Sequence, residues 1–200
     1  MASAIRCLIP RLNPQNTVTL ICDMQEAFRG NIHRYPEVIS IAKRVIEASN
    51  ILGIKMIASE QYPKGLGHTV SELEISKYNV PVFDKKKFSM CSPQFDKELG
   101  KPSSVLICGV EAHVCVMNST FDLLDKGIGV FVVADAVSSR SNTDRLFALK
   151  QMQQAGAVLT TSESVLLTLL GGSDHQKFKQ VQKLIMISAP DTELFPMFHA

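Results

Sequence analysis

The sequence predicts a three-layer α/β/α sandwich built around a six-stranded, mostly parallel β-sheet. Short β-branched apolar runs recur along the chain, and segments with apolar residues at helical spacing separate them. The runs are apolar without interruption, which indicates strands that are buried on both faces. Each parallel crossover lays a helix over one face of the sheet, so this alternation predicts helices on both sides.

The predicted elements follow one another in a regular order from residue 17 onward. Strands are expected at 17–22, 55–58, 80–83, 104–108, 130–134 and 157–160. Helices are expected between them at 36–52, 92–99, 114–126, 142–155 and 162–170, and several open with Ser, Thr or Asn. Five glycines mark the expected helix ends: Gly53, Gly100, Gly127, Gly156 and Gly171.

Length and composition are those of one domain. The 200 residues, with 46% hydrophobic content, suffice for a single buried core. We expect one domain over 1–200, with an N-terminal arm at 1–15 and a C-terminal tail at 188–200. The apolar stretch 194–199 is expected to pack on its own domain or on a neighbouring subunit.

Charge and targeting signals narrow the class of protein. A net charge of +2 lacks the basic footprint of a phosphate-backbone binder, so no nucleic-acid partner is expected. No apolar run reaches transmembrane length, and no membrane association is expected. Residues 1–16 carry Arg6 and Arg11 but contain two prolines and no continuous apolar core. A cytoplasmic location is predicted, with a mitochondrial presequence as the alternative.

The five cysteines form an odd set without a CxxC motif, which fits neither a disulfide framework nor a zinc ribbon. They are interpreted as free thiols in a reducing compartment. Cys22 and Cys108 lie inside apolar strands and are expected to be buried and inert. Cys91 lies on a loop near Lys85 and is interpreted as a bystander. Cys115 differs because it follows Gly109 at a strand-to-helix turn.

Three reactive side chains follow three different predicted strands. Asp23, Lys85 and Cys115 come after the first, third and fourth strands, at the sheet edge where ligands bind in folds of this class. Backbone amides at the start of a helix favour an anion, so a Cys115 thiolate would be stabilised there. Each residue also has an ordinary interpretation. Asp23 could cap a turn, Lys85 could be a solvated surface lysine, and Cys115 could be a small buried apolar residue. Their coincidence at one edge favours an active site.

Three motifs resemble the isochorismatase-like (cysteine hydrolase) family over nearly the whole chain. They are ICDMQEAF at 21–28, KKKFS at 85–89 and CGVEAHVCV at 108–116. EQYPKGLG at 60–67 and ADAVSSRS at 134–141 resemble the animal subgroup of isochorismatase domain-containing proteins. The resemblance implies a Rossmann-like hydrolase fold, a small-molecule substrate, and a homodimer or homotetramer.

The resemblance also implies a catalytic triad of Asp23, Lys85 and Cys115. Lys85 is chosen because the family pattern places lysine three residues before Phe or Tyr. Asp23 would take the thiol proton and Cys115 would attack a carbonyl or nitrile-like carbon, giving C–N (amide-type) bond hydrolysis. A cis peptide is implied between Val110 and Glu111. It would direct the backbone N–H of Glu111, with that of Cys115, at the oxyanion.

Motif positions make five side chains candidate walls of the substrate pocket: Phe28, Glu60, Tyr62, Phe88 and His113. Nicotinamidases of the family hold a metal through an Asp and two His after the second strand, whereas this chain has SEQYP at 59–63. His68 alone makes no metal site, so no metal and no cofactor are expected.

Two alternatives to a hydrolase remain open. The first is a catalytically weak or silent domain that acts by binding protein partners. The second is a nuclease, for which the sequence offers neither a carboxylate cluster nor a basic groove. The reactive residues Asp23, Lys85 and Cys115 favour the hydrolase.

Overall fold

The computed structural model describes residues 11–194, and its centre is one six-stranded parallel sheet. The strands are β1 (Thr17–Cys22), β2 (Lys55–Gln61), β3 (Val82–Lys85), β4 (Ser104–Val110), β5 (Gly129–Ser138) and β6 (Val158–Thr160). Their order across the sheet is β3-β2-β1-β4-β5-β6, and every neighbouring pair is parallel. The predicted fold class is therefore confirmed, with a sheet that is parallel throughout.

Helices cover both faces of this sheet. They are α1 (Tyr35–Leu52), α2 (Pro63–Leu66), α3 (Pro93–Leu99), α4 (Met117–Asp125), α5 (Asn142–Gln154), α6 (Ser162–Leu170) and α7 (Phe178–Ile185). Side chains of α1, α6 and α7 pack in one hydrophobic core, and those of α3, α4 and α5 pack in the other. Alternate residues of a strand point to opposite faces, and accordingly Ile21 lies in the first core and Leu20 in the second.

Several element boundaries differ from the predicted ones. β2 continues to Gln61 and β5 continues to Ser138, beyond the expected ends at 58 and 134. The added residues are largely polar, and a hydrophobic pattern ends a strand at its first polar position although the backbone pairing continues. The predicted helix at 114–126 is a π-helical turn, Ala112–Val116, followed by α4. A 3.6-residue pattern does not distinguish a π turn from an α turn.

The strand order reverses between β1 and β4. From β1 the chain moves outward to β2 and β3, then returns to β4 and moves outward to β5 and β6. The carboxyl ends of β1 and β4 therefore open side by side, which is where sheets of this type bind ligands. Cys22 is the last residue of β1 and pairs with Gly109 of β4 at this point.

Buried Arg145 of α5 anchors the described part of the C-terminal tail. Its Nη1 donates to the Thr192 carbonyl at 2.6 Å, and its Nη2 donates to the Ala134 carbonyl at 2.9 Å. Burial lowers the pKa of Arg145 to about 10, while the charge of Asp135 opposes that shift. Leu194 packs against the core that contains α5.

Parts of the predicted terminal segments lie outside the described residues. These parts are 1–10 of the N-terminal arm, with the possible presequence and Cys7, and 195–199 of the apolar stretch. Residues 188–194 of the tail contain no helix or strand. Within 11–194, no helix is both long enough and apolar enough to cross a membrane.

Candidate active site

Asp23 lies at the carboxyl end of β1 with its carboxylate fully buried. The residue has a left-handed backbone, with φ of 49°, and its side chain is 0% exposed. One carboxylate oxygen, Oδ2, accepts a hydrogen bond from Lys85 Nζ at 2.6 Å, and Oδ1 accepts one from Ser59 Oγ at 2.7 Å. Asp23 is therefore not a turn cap, because both oxygens are engaged in a buried polar cluster.

Lys85, the last residue of β3, reaches across the end of β2 to meet Asp23. Its side chain is 6% exposed, whereas Lys86 and Lys87 are exposed to solvent. Besides Asp23, Lys85 Nζ donates to Gln61 Oε1 at 2.7 Å and to the Phe88 carbonyl at 2.9 Å. A lysine that is desolvated in this way needs such partners. Of the three consecutive lysines, Lys85 is the one that points inward.

Negative charge around Lys85 holds it in the protonated form. Burial alone would lower its pKa, but the neighbouring Cys22, Asp23 and Cys115 together raise it above the ordinary value. A raised pKa keeps the ammonium charged when a neighbouring thiol ionises. The ammonium is therefore bound to the Asp23 carboxylate and lies near the thiols of Cys22 and Cys115.

Cys115 lies in the π turn and not at the start of α4. Its side chain is buried, and the amides on either side, of Val114 and Val116, donate to the Glu111 carbonyl at 3.0 and 3.2 Å. The Cys115 carbonyl accepts from Ser119 Oγ at 2.7 Å. These bonds hold the turn and thereby fix where the thiol points.

The thiols of Cys22 and Cys115 are neighbours in the core beneath α3, α4 and α5. Cys22 is fully buried, and burial raises its pKa well above the usual range, with the neighbouring Cys115 thiol and the Asp23 charge adding to the shift. The positive charge of Lys85 acts in the opposite direction. The structure thus brings Asp23, Lys85 and Cys115 together and adds Cys22 to the cluster.

The turn that leads to Cys115 begins with a cis peptide between Val110 and Glu111. The side chain of Glu111 points toward the loop after β5, where its Oε2 accepts from the Arg140 amide at 3.0 Å and lies 3.4 Å from Arg140 Nε. His113 contacts the same loop, with its Nδ1 2.9 Å from Ser139 Oγ.

The five candidate pocket walls have different environments. Tyr62 is 51% exposed, and a cleft of about 300 Å³ is lined by Tyr62, Pro63, Lys64, Asp84, Lys85 and Lys86. The Tyr62 ring lies over Gly65, where an added Cβ would come within 2.6 Å of it.

The other four candidates lie outside the lining of this cleft. Phe88 is exposed beside Lys85, Phe28 packs against the α1 core, and His113 is held by Ser139. Glu60 is buried and bound to the 68–69 loop.

The sequence interpretation missed two polar members of the cluster, Ser59 and Gln61. Both belong to β2 beyond its expected end, and as alternate residues of one strand they face the same side. The backbone of Gln61 is itself held by Gln25, whose side-chain Oε1 accepts a hydrogen bond from the backbone N–H of Gln61 at 2.7 Å. A longer β2 in the prediction would have placed both residues between Asp23 and Lys85.

Glu60 ties the 67–70 loop to the edge of the site. Its Oε1 accepts from the Thr69 amide at 2.6 Å, and its Oε2 is 2.9 Å from His68 Nδ1. Burial would raise the pKa of Glu60, but the Thr69 and His68 hydrogen bonds lower it overall. The same contact raises the pKa of His68 above its ordinary value of 6.5.

These shifts predict a window of pH in which the loop contact is strongest. The depressed Glu60 contributes stability that is present above 4.5 and is lost as pH falls through its folded pKa. The elevated His68 contributes stability that is complete below 6.5 and is lost as pH rises through its folded pKa. An NMR titration should give a His68 pKa above 6.5 in the wild type that returns to 6.5 in Glu60→Gln. Equal His68 titrations in the two proteins would contradict this contact.

His68 belongs to no cluster of ligands. Its side chain is 83% exposed, and among residues 11–194 no three His, Cys, Asp or Glu side chains converge as a metal site requires.

Comparison with known proteins identifies chains that are related to this one in sequence and fold. The Isochorismatase domain model matches residues 17–164. Isochorismatase domain-containing protein 2 of Xenopus laevis is 50% identical over 196 residues, covering 95% of this chain and 93% of that protein. A solved structure described as MAR1 ribonuclease from Caenorhabditis elegans is 56% identical, with a TM-score of 0.91, covering 96% of this chain and 100% of that one.

A solved bacterial structure with lower sequence identity has the same fold. YcaC of Escherichia coli, described as an octameric hydrolase of unknown specificity, has a TM-score of 0.80 at 22% identity. The match covers 87% of this chain and 88% of YcaC. At that identity the likeness supports the shared fold alone.

Proposed function

This chain belongs to the isochorismatase family, as its motifs predicted, and we propose that it is a cysteine hydrolase of small molecules. The bond broken is of the C–N, amide type. The observation that carries the proposal is the buried Asp23–Lys85 pair, 2.6 Å apart, with the Cys115 thiol close enough to raise the pKa of Lys85. An acid–base group and a fixed positive charge beside a thiol are what nucleophilic catalysis by cysteine requires.

In the proposed first step, Asp23 accepts the Cys115 proton and the thiolate attacks the carbonyl carbon of the substrate. The Lys85 ammonium offsets the negative charge on the thiolate, and the amides of Glu111 and Cys115 stabilise the oxyanion. Protonated Asp23 then returns its proton to the leaving nitrogen as the C–N bond breaks. A thioester to Cys115 remains.

Water completes the proposed cycle. Asp23, ionised again, takes a proton from a water molecule that attacks the thioester carbonyl. The C–S bond breaks, the acid product leaves, and the proton on Asp23 returns to the Cys115 sulfur. Ser59 and Gln61 act as positioning residues, because they hold Asp23 and Lys85 in place throughout.

RNA hydrolysis is the second candidate function. The observation that favours it is the 56% identity to the chain described as MAR1 ribonuclease. Exposed Lys86 and Lys87 follow Lys85, and the exposed rings of Tyr62 and Phe88 lie at the same edge of the sheet. Cations and aromatic faces are the groups that bind single-stranded nucleic acid.

A homo-oligomer and a cytoplasmic location complete the proposal. Large apolar side chains are exposed at Phe147, Met186 and Ile187, and such surfaces commonly mark contacts between subunits. Four cysteines in the described residues are unpaired thiols, as expected in a reducing compartment.

The proposed activity is tested by measuring hydrolysis of a panel of substrates by proteins with and without the Cys115 sulfur. Wild type, Cys115→Ala and the control Cys108→Ala are incubated with primary amides, ureido acids and single-stranded RNA, and products are measured by mass spectrometry. We expect an amide-type substrate to be hydrolysed by wild type and Cys108→Ala, with a loss of about 10³-fold or more in Cys115→Ala.

The same panel can contradict the proposal. RNA cleavage that persists in Cys115→Ala, with no amide turned over by the wild type, would replace it with a nuclease that does not use the thiol. Turnover of no substrate by any of the three proteins would favour a domain that works by binding partners.

A further inference from the structure

Cys22 is a buried nucleophile that the proposed mechanism leaves unused. It is the last residue of β1, is 0% exposed, and pairs with Gly109 of β4, the strand that leads to Cys115. Both side chains belong to the core beneath α3, α4 and α5. Cys22 ends β1 and Cys115 lies in the π turn that follows β4, so the two thiols are neighbours where β1 and β4 diverge.

Gly109 brings the two segments unusually close. A Cβ at this position would lie 2.0 Å from the Cys22 carbonyl oxygen, so the β4 backbone passes Cys22 at a distance that only glycine allows. The chain then turns through Glu111, whose carbonyl accepts the amide hydrogen bonds of Val114 and Val116 on either side of Cys115. The backbone therefore holds the start of the turn that carries Cys115 against the end of β1, where Cys22 lies.

The other described cysteines are placed differently. Cys108 points into the opposite core, where its thiol donates to the Leu20 carbonyl at 3.5 Å. Cys91 is buried beside Ser89, whose Oγ accepts its amide hydrogen bond at 3.1 Å, and it neighbours Lys126 and Asp96. Within 11–194, Cys22 is therefore the thiol that stands against Cys115 and Lys85.

We propose that Cys22 and Cys115 form an intramolecular disulfide when a hydroperoxide reaches the site. Cys115 reacts first because it lies at the edge of the core and is 6% exposed, whereas Cys22 is closed off. The disulfide removes the Cys115 sulfur from attack on any substrate and protects it from further oxidation. Reduction by a dithiol restores both thiols.

Each step balances. The Cys115 thiolate attacks one peroxide oxygen, an S–O bond forms, the O–O bond breaks, and the departing alkoxide or hydroxide leaves as alcohol or water with the Cys115 proton. The Cys22 sulfur then attacks the sulfenic sulfur of Cys115, forming S–S and breaking S–O. The released hydroxide takes the Cys22 proton and leaves as a second water. The peroxide is the oxidant, and two thiols are oxidised to one disulfide.

Lys85 assists the second step. Attack requires Cys22 to lose its proton, which burial opposes. The nearby Lys85 ammonium partly offsets the rise that burial causes in the pKa of Cys22. The inference needs only that Cys115 reacts with peroxide, so it stands apart from the hydrolase proposal.

Peptide mapping after oxidation tests the pairing. Reduced full-length wild type, Cys22→Ala and the matched buried control Cys108→Ala are treated with a few equivalents of hydrogen peroxide. Free thiols are blocked with N-ethylmaleimide, and the digests are analysed without reduction. We expect a Cys22–Cys115 linked peptide in wild type and Cys108→Ala, which dithiothreitol reverses. In Cys22→Ala we expect at least about ten-fold more sulfinic acid at Cys115.

Two results would overturn the inference. One is Cys115 that proceeds to sulfinic acid equally fast in wild type and Cys22→Ala. The other is Cys115 linked to Cys7 or Cys91 in place of Cys22. If Cys22→Ala does not fold, Cys22→Ser is used for the comparison of sulfinic acid. If neither variant folds, the presence or absence of the Cys22–Cys115 linked peptide in the wild type decides the test. The readout needs no turnover, so failure of the hydrolase proposal would leave it intact.

Discussion

An Asp23→Asn variant is expected to lose about 10³-fold in kcat/KM toward the substrate identified with the panel, because an amide cannot accept the Cys115 proton. The replacement keeps the size of the side chain. It also presents an N–H to either Ser59 or Lys85, where the wild-type carboxylate accepts bonds of 2.7 and 2.6 Å. Thermal unfolding measured on the same samples separates a loss of chemistry from a loss of fold.

Asp122→Asn is the matched control. Asp122 is exposed on α4, away from the cleft and the buried cluster, so its neutralisation should leave kcat/KM within about two-fold, as is usual for an exposed charge. Equal losses in the two variants would mean that the loss of any negative charge lowers kcat/KM. The buried carboxylate of Asp23 would then have no special role in proton transfer.

Gly109→Ala is expected to have the largest effect on stability. The new Cβ would lie 2.0 Å from the carbonyl oxygen, 2.7 Å from the carbonyl carbon and 2.8 Å from the nitrogen of Cys22. None of these backbone atoms can move without breaking the β1–β4 pairing, and φ of +129° is itself unfavourable for alanine. We expect the free energy of unfolding to fall by more than about 4 kcal/mol.

Urea unfolding of Gly109→Ala beside Gly127→Ala measures this effect. Gly127 also has a positive φ, of +74°, but nothing lies within 4 Å of its added Cβ. The control should therefore show only the backbone strain, about 1–2 kcal/mol. Similar losses in both variants would show that strain, and not the close approach to Cys22, decides the cost.

The sequence was sufficient for the fold because its apolar runs are nearly uninterrupted. TVTLIC, SVLIC and VFVVA have too few polar residues for any strand except one covered on both faces. It was insufficient for the strand ends, since Ser59 and Gln61 are polar and become strand only through tertiary pairing, Ser59 with β1 and β3 and Gln61 with β3. Local pattern contains no information on such a partner.

The candidate site was only partly accessible to sequence reasoning. Asp23 and Cys115 could be placed at the carboxyl ends of strands from the pattern alone, but Lys85 was separated from Lys86 only by the family motif. Cys22 was interpreted as an inert core thiol, because its contact with Cys115 joins residues 93 positions apart and depends on how the turn after β4 folds back. The sequence predicted that Cys22 is buried, but it did not predict that Cys115 is its neighbour.

The central claim is that Lys85 activates Cys115. The most direct measurement is the rate at which iodoacetamide alkylates each cysteine at about pH 7, where an ordinary thiol is mostly protonated, followed by peptide mass spectrometry. Wild type, Lys85→Ala and the exposed neighbour Lys86→Ala are compared. We predict that Cys115 is labelled at least about ten-fold faster than Cys91, and that Lys85→Ala removes most of this advantage while Lys86→Ala does not. Labelling of Cys115 that is no faster than that of Cys91 and is indifferent to Lys85 would contradict the account, and a partner-binding domain would become the better explanation.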